Sequence, residues 1–177
     1  MSHATPTPFD VEPHLDVLRR YALVLTRSAD EAEDLVQESL LRAIAGAASW
    51  RPGRELRPWL LSVVHNAHVS RRRRRQVEQA AAGELAPTEP PVTLPPQIHR
   101  VELAQTVAAL LRLPEDQREV LVLVAVEGLA YKDAAEILDL PMGTLMSRLA
   151  RARAALRRAV GQSDETGSAR PGLRVVR

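Results

Sequence analysis

Apolar residues recur along this chain at helical spacing, and no stretch shows the strict alternation of a half-buried strand. Leu15, Leu18, Ala22 and Leu25 form a first stripe, with Arg19 and Arg20 off it. Ser28 or Asp30 can cap the next helix, because a short side-chain oxygen accepts from free backbone N–H groups. Ala32, Leu35, Val36, Leu40 and Ile44 mark its buried face as far as about Ala48, and Glu31, Asp34, Gln37, Glu38 and Arg42 mark the other. Pro52 and Gly53 punctuate a loop from Trp50 to Glu55. A third helix opens near Arg57 and Pro58, carries Trp59, Leu60, Val63, Val64 and Ala67, and enters the run Arg71 to Arg75.

The pattern then lapses. Gly83 to Pro96 holds Pro87, Pro90, Pro91, Pro95 and Pro96 with no stripe, which predicts a semi-rigid linker. It resumes from Ile98 to Leu111, and a further helix opens at Leu113-Pro114 and stops at Gly128. Tyr131 to Leu138 predicts a short helix, Asp139 to Pro141 a turn, and Met142 to Val160 a longer helix. The fold class is therefore all-α, two small helical domains joined by a Pro-rich linker: 10–80, linker 81–97, 98–160, then a polar tail 161–177 expected to be disordered.

Composition narrows the chemistry. The chain is 45% hydrophobic but only 3% aromatic, which suits helix-on-helix packing better than a sandwich. It has no cysteine, which excludes disulfides, thiolate metal sites and cysteine nucleophiles. No run of about 18 apolar residues predicts a membrane span, and Met1 to Asp10 lacks the pattern of a secretory signal, so a cytoplasmic location is expected. Net charge is only +2, but acids gather at Asp30 to Glu38 and cations at Arg71 to Arg75 and Arg148 to Arg158. Such segregation suggests one surface for a protein and others for nucleic acid.

The unit from Tyr131 to Arg158 reads as a helix-turn-helix. At about 100° per residue, Leu145, Leu149, Ala152 and Leu156 point inward. Ser147, Ala150, Arg151, Ala154 and Arg158 then face out, a small or cationic surface that suits a major groove. Thr144, Ser147 and Arg148 sit in the first turns, where bases and phosphates come within reach.

Taken in order, these stretches resemble an extracytoplasmic-function sigma factor of the sigma-70 family. Ala32-Glu-Asp-Leu-Val-Gln-Glu38 resembles the polymerase-binding helix of region two, and Trp50 to Leu61 its promoter-melting loop and following helix. Leu113-Pro114, Arg118 to Leu121, Glu127 to Tyr131, Ala134 to Leu138 and Gly143 to Leu149 resemble region four. The resemblance spans roughly Leu15 to Val160.

It implies that Asp34, Gln37 and Glu38 contact the β′ clamp helices of core RNA polymerase, whose β flap would meet region four. It implies that Trp50, Arg51 and Arg54 capture a flipped base of the −10 element, that Asn66 reads that strand, and that Arg71 and Arg72 follow its phosphates. Trp50 can equally anchor the loop in the core, and Trp59 lies on the apolar stripe. Thr144, Ser147, Arg148 and Arg151 would face the −35 duplex. Met146 stands where many relatives carry Lys or Arg, which leaves −35 affinity to Arg148 and Arg151. The resemblance further implies promoter DNA as partner, an anti-sigma factor as regulator, and no membrane insertion.

Two other readings compete. A repressor or activator would use the helix-turn-helix but leaves the acidic helix and the Trp50 to Arg54 loop without a role. A metal-dependent hydrolase could use His65 and His68, three apart on one helix face, but no carboxylate lies near them in sequence. No catalytic residue, cofactor or metal is therefore expected, and the chain is read as a non-enzyme.

Overall fold

The computed structural model describes residues 9–51, 53–82 and 101–167, with side chains described within 104–160 in the last stretch. Among these residues every regular element is helical. A short 3₁₀ turn, Glu12–His14, leads into α1, Leu15–Thr26. Arg27 ends α1 in the left-handed conformation (φ 62°) and donates its N–H back to the Leu23 carbonyl. Ser28, rather than Asp30, caps α2, Ala29–Ala45, by accepting from the Glu31 N–H. After a 3₁₀ turn at Ala47–Ser49, α3 runs from Leu56 to Ala82.

These three helices form a bundle around Leu18, Leu35, Leu60, Leu61 and Val64, each at most 1% exposed. Burying a side chain of this size contributes about 1.5–3 kcal/mol. On α2 the seam differs from the expected stripe. Ala32, Leu35, Val36, Ser39 and Ala43 are buried, whereas Leu40 is half-buried and Ile44 is 62% exposed. Small residues let α2 lie close to its neighbours, and the Ser39 hydroxyl is satisfied by the Leu35 carbonyl at 2.6 Å. Leu41 and Ile44 are left as an exposed apolar edge beside Gln37 and Glu38.

The second half comprises α4 (Val101–Leu111), α5 (Glu115–Leu121), α6 (Tyr131–Ile137) and α7 (Met142–Gly167). α5 widens into a π-helical turn, Val122–Val126, before Gly128 reverses the chain at φ 66°. Leu145, Leu149 and Ala152 of α7 are buried as their spacing requires. α7 passes the Gly161 at which the pattern ended it, because one glycine costs only about 1 kcal/mol and Gln162 to Glu165 do not break a helix. Of the linker expected at 81–97, Ala81 and Ala82 close α3 and the rest lies outside the described residues.

The two halves share one continuous core. α1 packs on α2 and α3 with one side and on α5 with the other, while α6 packs on α3. That is why Tyr21 and Val24, off the expected α1 stripe, are buried too.

Candidate nucleic-acid interface

Four of the residues implicated in −10 recognition converge. Trp50, Arg51, Arg54 and Asn66 line a cleft of about 760 Å³ with Glu55, Pro58, Trp59 and Ser62. The loop brings the first three to it, and α3 presents Asn66 from its exposed side. Trp50 packs against the core and also borders the cleft. Its ring packs against Phe9 (centroids 6.0 Å), which also meets Trp59 edge-on at 5.8 Å, yet Trp50 still borders the cleft. Its indole Nε1 is buried without a hydrogen-bond partner among the described residues.

The opposite wall belongs to the other half. Lys132, Asp133, Glu136 and Ile137 of α6 line the cleft as well, while Arg51, Arg54 and Asn66 stay exposed. Two carboxylates, Asp133 and Glu136, therefore share the cleft with Arg51 and Arg54.

The arginine run is engaged as well. Arg71 pairs with Glu38 at 3.1 Å, Arg72 with Glu115 at 2.5 Å, and Arg75 with Glu31 at 3.1 Å. Glu38 also accepts from Arg42 at 2.5 Å, so it is held from two sides, while Asp34 and Gln37 are exposed. On α7, Ser147 and Arg151 are exposed and linked, Arg151 Nη2 donating to Ser147 Oγ at 3.3 Å. Arg148 turns aside to Asp116 of α5 at 3.3 Å, and Thr144 is half-buried.

The seam between the halves carries polar groups that the sequence pattern did not single out. Glu127, whose side chain is wholly buried, accepts from Arg20 Nε at 3.1 Å and Nη2 at 3.0 Å, a bidentate pair. Arg57 Nη2 donates to the same carboxylate at 2.7 Å and to the Glu127 carbonyl. Arg118, 2% exposed, donates Nε to the Val24 carbonyl at 2.7 Å and Nη1 to the Leu113 carbonyl at 2.8 Å. The only hint in the sequence was that Arg20 lay off the apolar stripe.

A second polar group lies between α3 and α5. His68 Nε2 is 3.2 Å from Glu115 Oε1, and His65 Nδ1 is 3.2 Å from the hydroxyl of wholly buried Tyr21. The His68 hydrogen bond, with help from Arg72, holds the Glu115 carboxyl down at about 2 against the effect of burial. Burial lowers His65 to about 4, and burial beside Glu115 pushes Glu119 up to about 7.

These two shifts act in opposite directions on stability. His65 is kept neutral by the fold, so stability is lost as pH falls from 6.5 through 4. Glu119 is protonated more readily folded than unfolded, so stability is gained as pH falls from 7 towards 4.5. Between pH 7 and 5 each is worth about 2 kcal/mol, which nearly cancels. In EDTA-containing buffer, His65→Asn should therefore gain stability on acidification across this range, and Glu119→Gln should lose it. Urea midpoints at the two pH values check this, and parallel curves for the two variants would contradict it.

This is a two-part helical protein with a helix-turn-helix in its second half. Comparison with known proteins gives the family. Residues 11–78 match Sigma-70 region 2, and residues 103–156 match Sigma-70, region 4. The ECF RNA polymerase sigma factor EcfG of Rhodopseudomonas palustris is 44% identical over 149 residues, 83% of this chain and 81% of that one. The ECF RNA polymerase sigma factor SigM of Mycobacterium tuberculosis is 38% identical, over 84% of this chain and 74% of its own. The sigma factor RpoE of Bartonella quintana, solved in complex with the anti-sigma factor NepR, superposes with a TM-score of 0.75 at 35% identity, covering 85% of this chain and 94% of that chain. CnrH, solved with the cytosolic domain of CnrY, gives a TM-score of 0.60 at 26% identity, over 87% of this chain and 86% of that chain.

The chain belongs to the sigma-70 family, as an extracytoplasmic-function RNA polymerase sigma factor. Among the described residues no helix is long and apolar enough to cross a membrane.

Proposed function

We propose that this chain recruits core RNA polymerase to promoters through two surfaces and that the closed arrangement described above is its resting form. The observation that carries this reading is the cleft: Trp50, Arg51, Arg54 and Asn66 converge in it, and α6 of the other half supplies part of its lining. An aromatic ring, two cations and an amide suit an unstacked base and its backbone, since stacking is worth about 1–3 kcal/mol per base. Asp133 and Glu136 oppose a phosphate chain there, so α6 has to withdraw before a strand enters.

Asp34, Gln37 and Glu38, flanked by exposed Leu41 and Ile44, form the face offered to the β′ clamp helices. An apolar edge with charged neighbours fits a protein partner better than DNA. Thr144, Ser147, Arg148 and Arg151 of α7 read the −35 duplex, once Arg148 leaves Asp116, while the β flap holds region four. Arg71 and Arg72 reach promoter phosphates only after exchanging Glu38 and Glu115 for them. Melting needs no group transfer by this chain, because capture of the single strand stabilises the open state. The chain works in the cytoplasm beside the polymerase. A relative solved with an anti-sigma factor supports a regulator of that kind here.

The roles separate experimentally. With reconstituted holoenzyme, Asn66→Ala should leave core affinity unchanged and reduce open-complex formation, read by permanganate reactivity, by about tenfold, the loss of one or two strand contacts. Glu38→Arg should weaken core binding, read by fluorescence anisotropy, by about tenfold or more. Equal effects of both variants on both readouts would sink the division of labour.

A further inference from the structure

Of the two histidines left without a carboxylate in sequence, His68 acquires two in the fold. α5 places Glu115 and Glu119, one turn apart, against the face of α3 that carries His68, and one ligand atom from each of the three lies within 4.8 Å of the others. His68 Nε2 and Glu115 Oε1 are 3.2 Å apart. Two ligands at about 2.0–2.2 Å from a tetrahedral zinc ion sit about 3.3–3.5 Å from each other. The pair is thus spaced to share an ion once the proton between them is displaced, and a Glu119 oxygen lies within 4.8 Å of both.

Two further observations point to a cation. Glu119 is 8% exposed and no hydrogen bond from the described residues reaches its carboxylate, so only nearby arginines and residual solvent offset its charge. Arg72 holds Glu115 by Oε2 and leaves Oε1 turned to His68, as an outer partner orients a metal ligand. One imidazole and two carboxylates suit a divalent transition ion such as zinc, with water in the fourth position.

We propose that His68, Glu115 and Glu119 bind a zinc-type divalent cation across the seam between the two halves. His68 belongs to the first half and both carboxylates to the second, so the site exists only when the halves are together. An ion that binds one state stabilises that state by mass action. This site stands or falls on metal binding alone, whatever the chain does at a promoter.

The test uses the full chain, stripped with a chelator, titrated with Zn²⁺ against a chromophoric chelator and separately with Co²⁺. One equivalent of Zn²⁺ should bind, with Co²⁺ giving the intense visible bands of four-coordinate geometry. His68→Ala and Glu119→Gln should each weaken Zn²⁺ binding by at least about tenfold, the loss that outer-shell changes alone can cause. His14→Ala should bind like the parent. Matching helical circular dichroism for the variants separates a lost site from a lost fold, and His68→Asn gives a second, gentler removal of the imidazole. No stoichiometric binding by the parent chain, or affinity retained in folded His68→Ala or Glu119→Gln, would overturn the proposal.

Discussion

Replacing Glu127 with alanine should loosen the two halves from each other without unfolding either. The wild-type carboxylate is fully buried and serves both Arg20 and Arg57, whose side chains are 52% and 33% exposed. Breaking a wholly buried ion pair costs about 3–5 kcal/mol. Here the arginines can turn to water, so about 2 kcal/mol is expected, a shift of about thirtyfold from closed to open. The absence of cysteine makes the measurement direct. Dyes on Asp16→Cys and Ala150→Cys, both exposed and on opposite halves, should report a longer mean distance in the Glu127→Ala background. Core polymerase should also bind the variant more tightly, since less of the binding energy is spent on opening. An unchanged distance distribution would show that the seam does not depend on this latch.

Arg118→Met should have the largest effect on stability of any single change considered. The guanidinium is 2% exposed and bonds the carbonyls of Val24 and Leu113, with Leu111 at 3.3 Å. Methionine fills much of the volume but donates nothing, and each buried carbonyl left unserved costs about 1–3 kcal/mol. A loss of about 3–5 kcal/mol is expected, measured by urea denaturation followed by circular dichroism. Arg118→Lys should lose about half as much, because one ammonium cannot serve carbonyls on both sides. Since Val24 lies in the first half and Leu113 in the second, this residue couples seam and local fold. A loss below about 1 kcal/mol would mean that water reaches those carbonyls.

The sequence was a good guide wherever an element buries its own stripe. The helices of both halves, the turn at Asp139 and the inward face of α7 all follow from apolar spacing and turn chemistry. It misled on α2, where Ser39 and Ala43 take the seam and Ile44 stays outside. Periodicity counts apolar residues, but close approach of two helices rewards small ones.

Residues with roles across the halves were the hardest to see. Glu127, Arg118 and Arg20 reach partners about a hundred positions away; Arg118 and Glu127 fell within the stretches resembling region four, but no local pattern marked what they bond. The same holds for His68, whose carboxylates arrive from 47 and more positions away. The resemblance put Trp50, Arg51, Arg54 and Asn66 forward as candidates, and they share one cleft; that α6 lines it too was not legible, because no local pattern encodes how two domains dock.

The central claim is that this chain programmes core RNA polymerase, and run-off transcription tests it most directly. Purified bacterial core enzyme would be presented with a promoter library, with and without this protein. Initiation from a defined subset of promoters only when the protein is present, and lost in Glu38→Arg, is the predicted result. Polymerase that stays inactive while the protein still binds specific duplex DNA would contradict it.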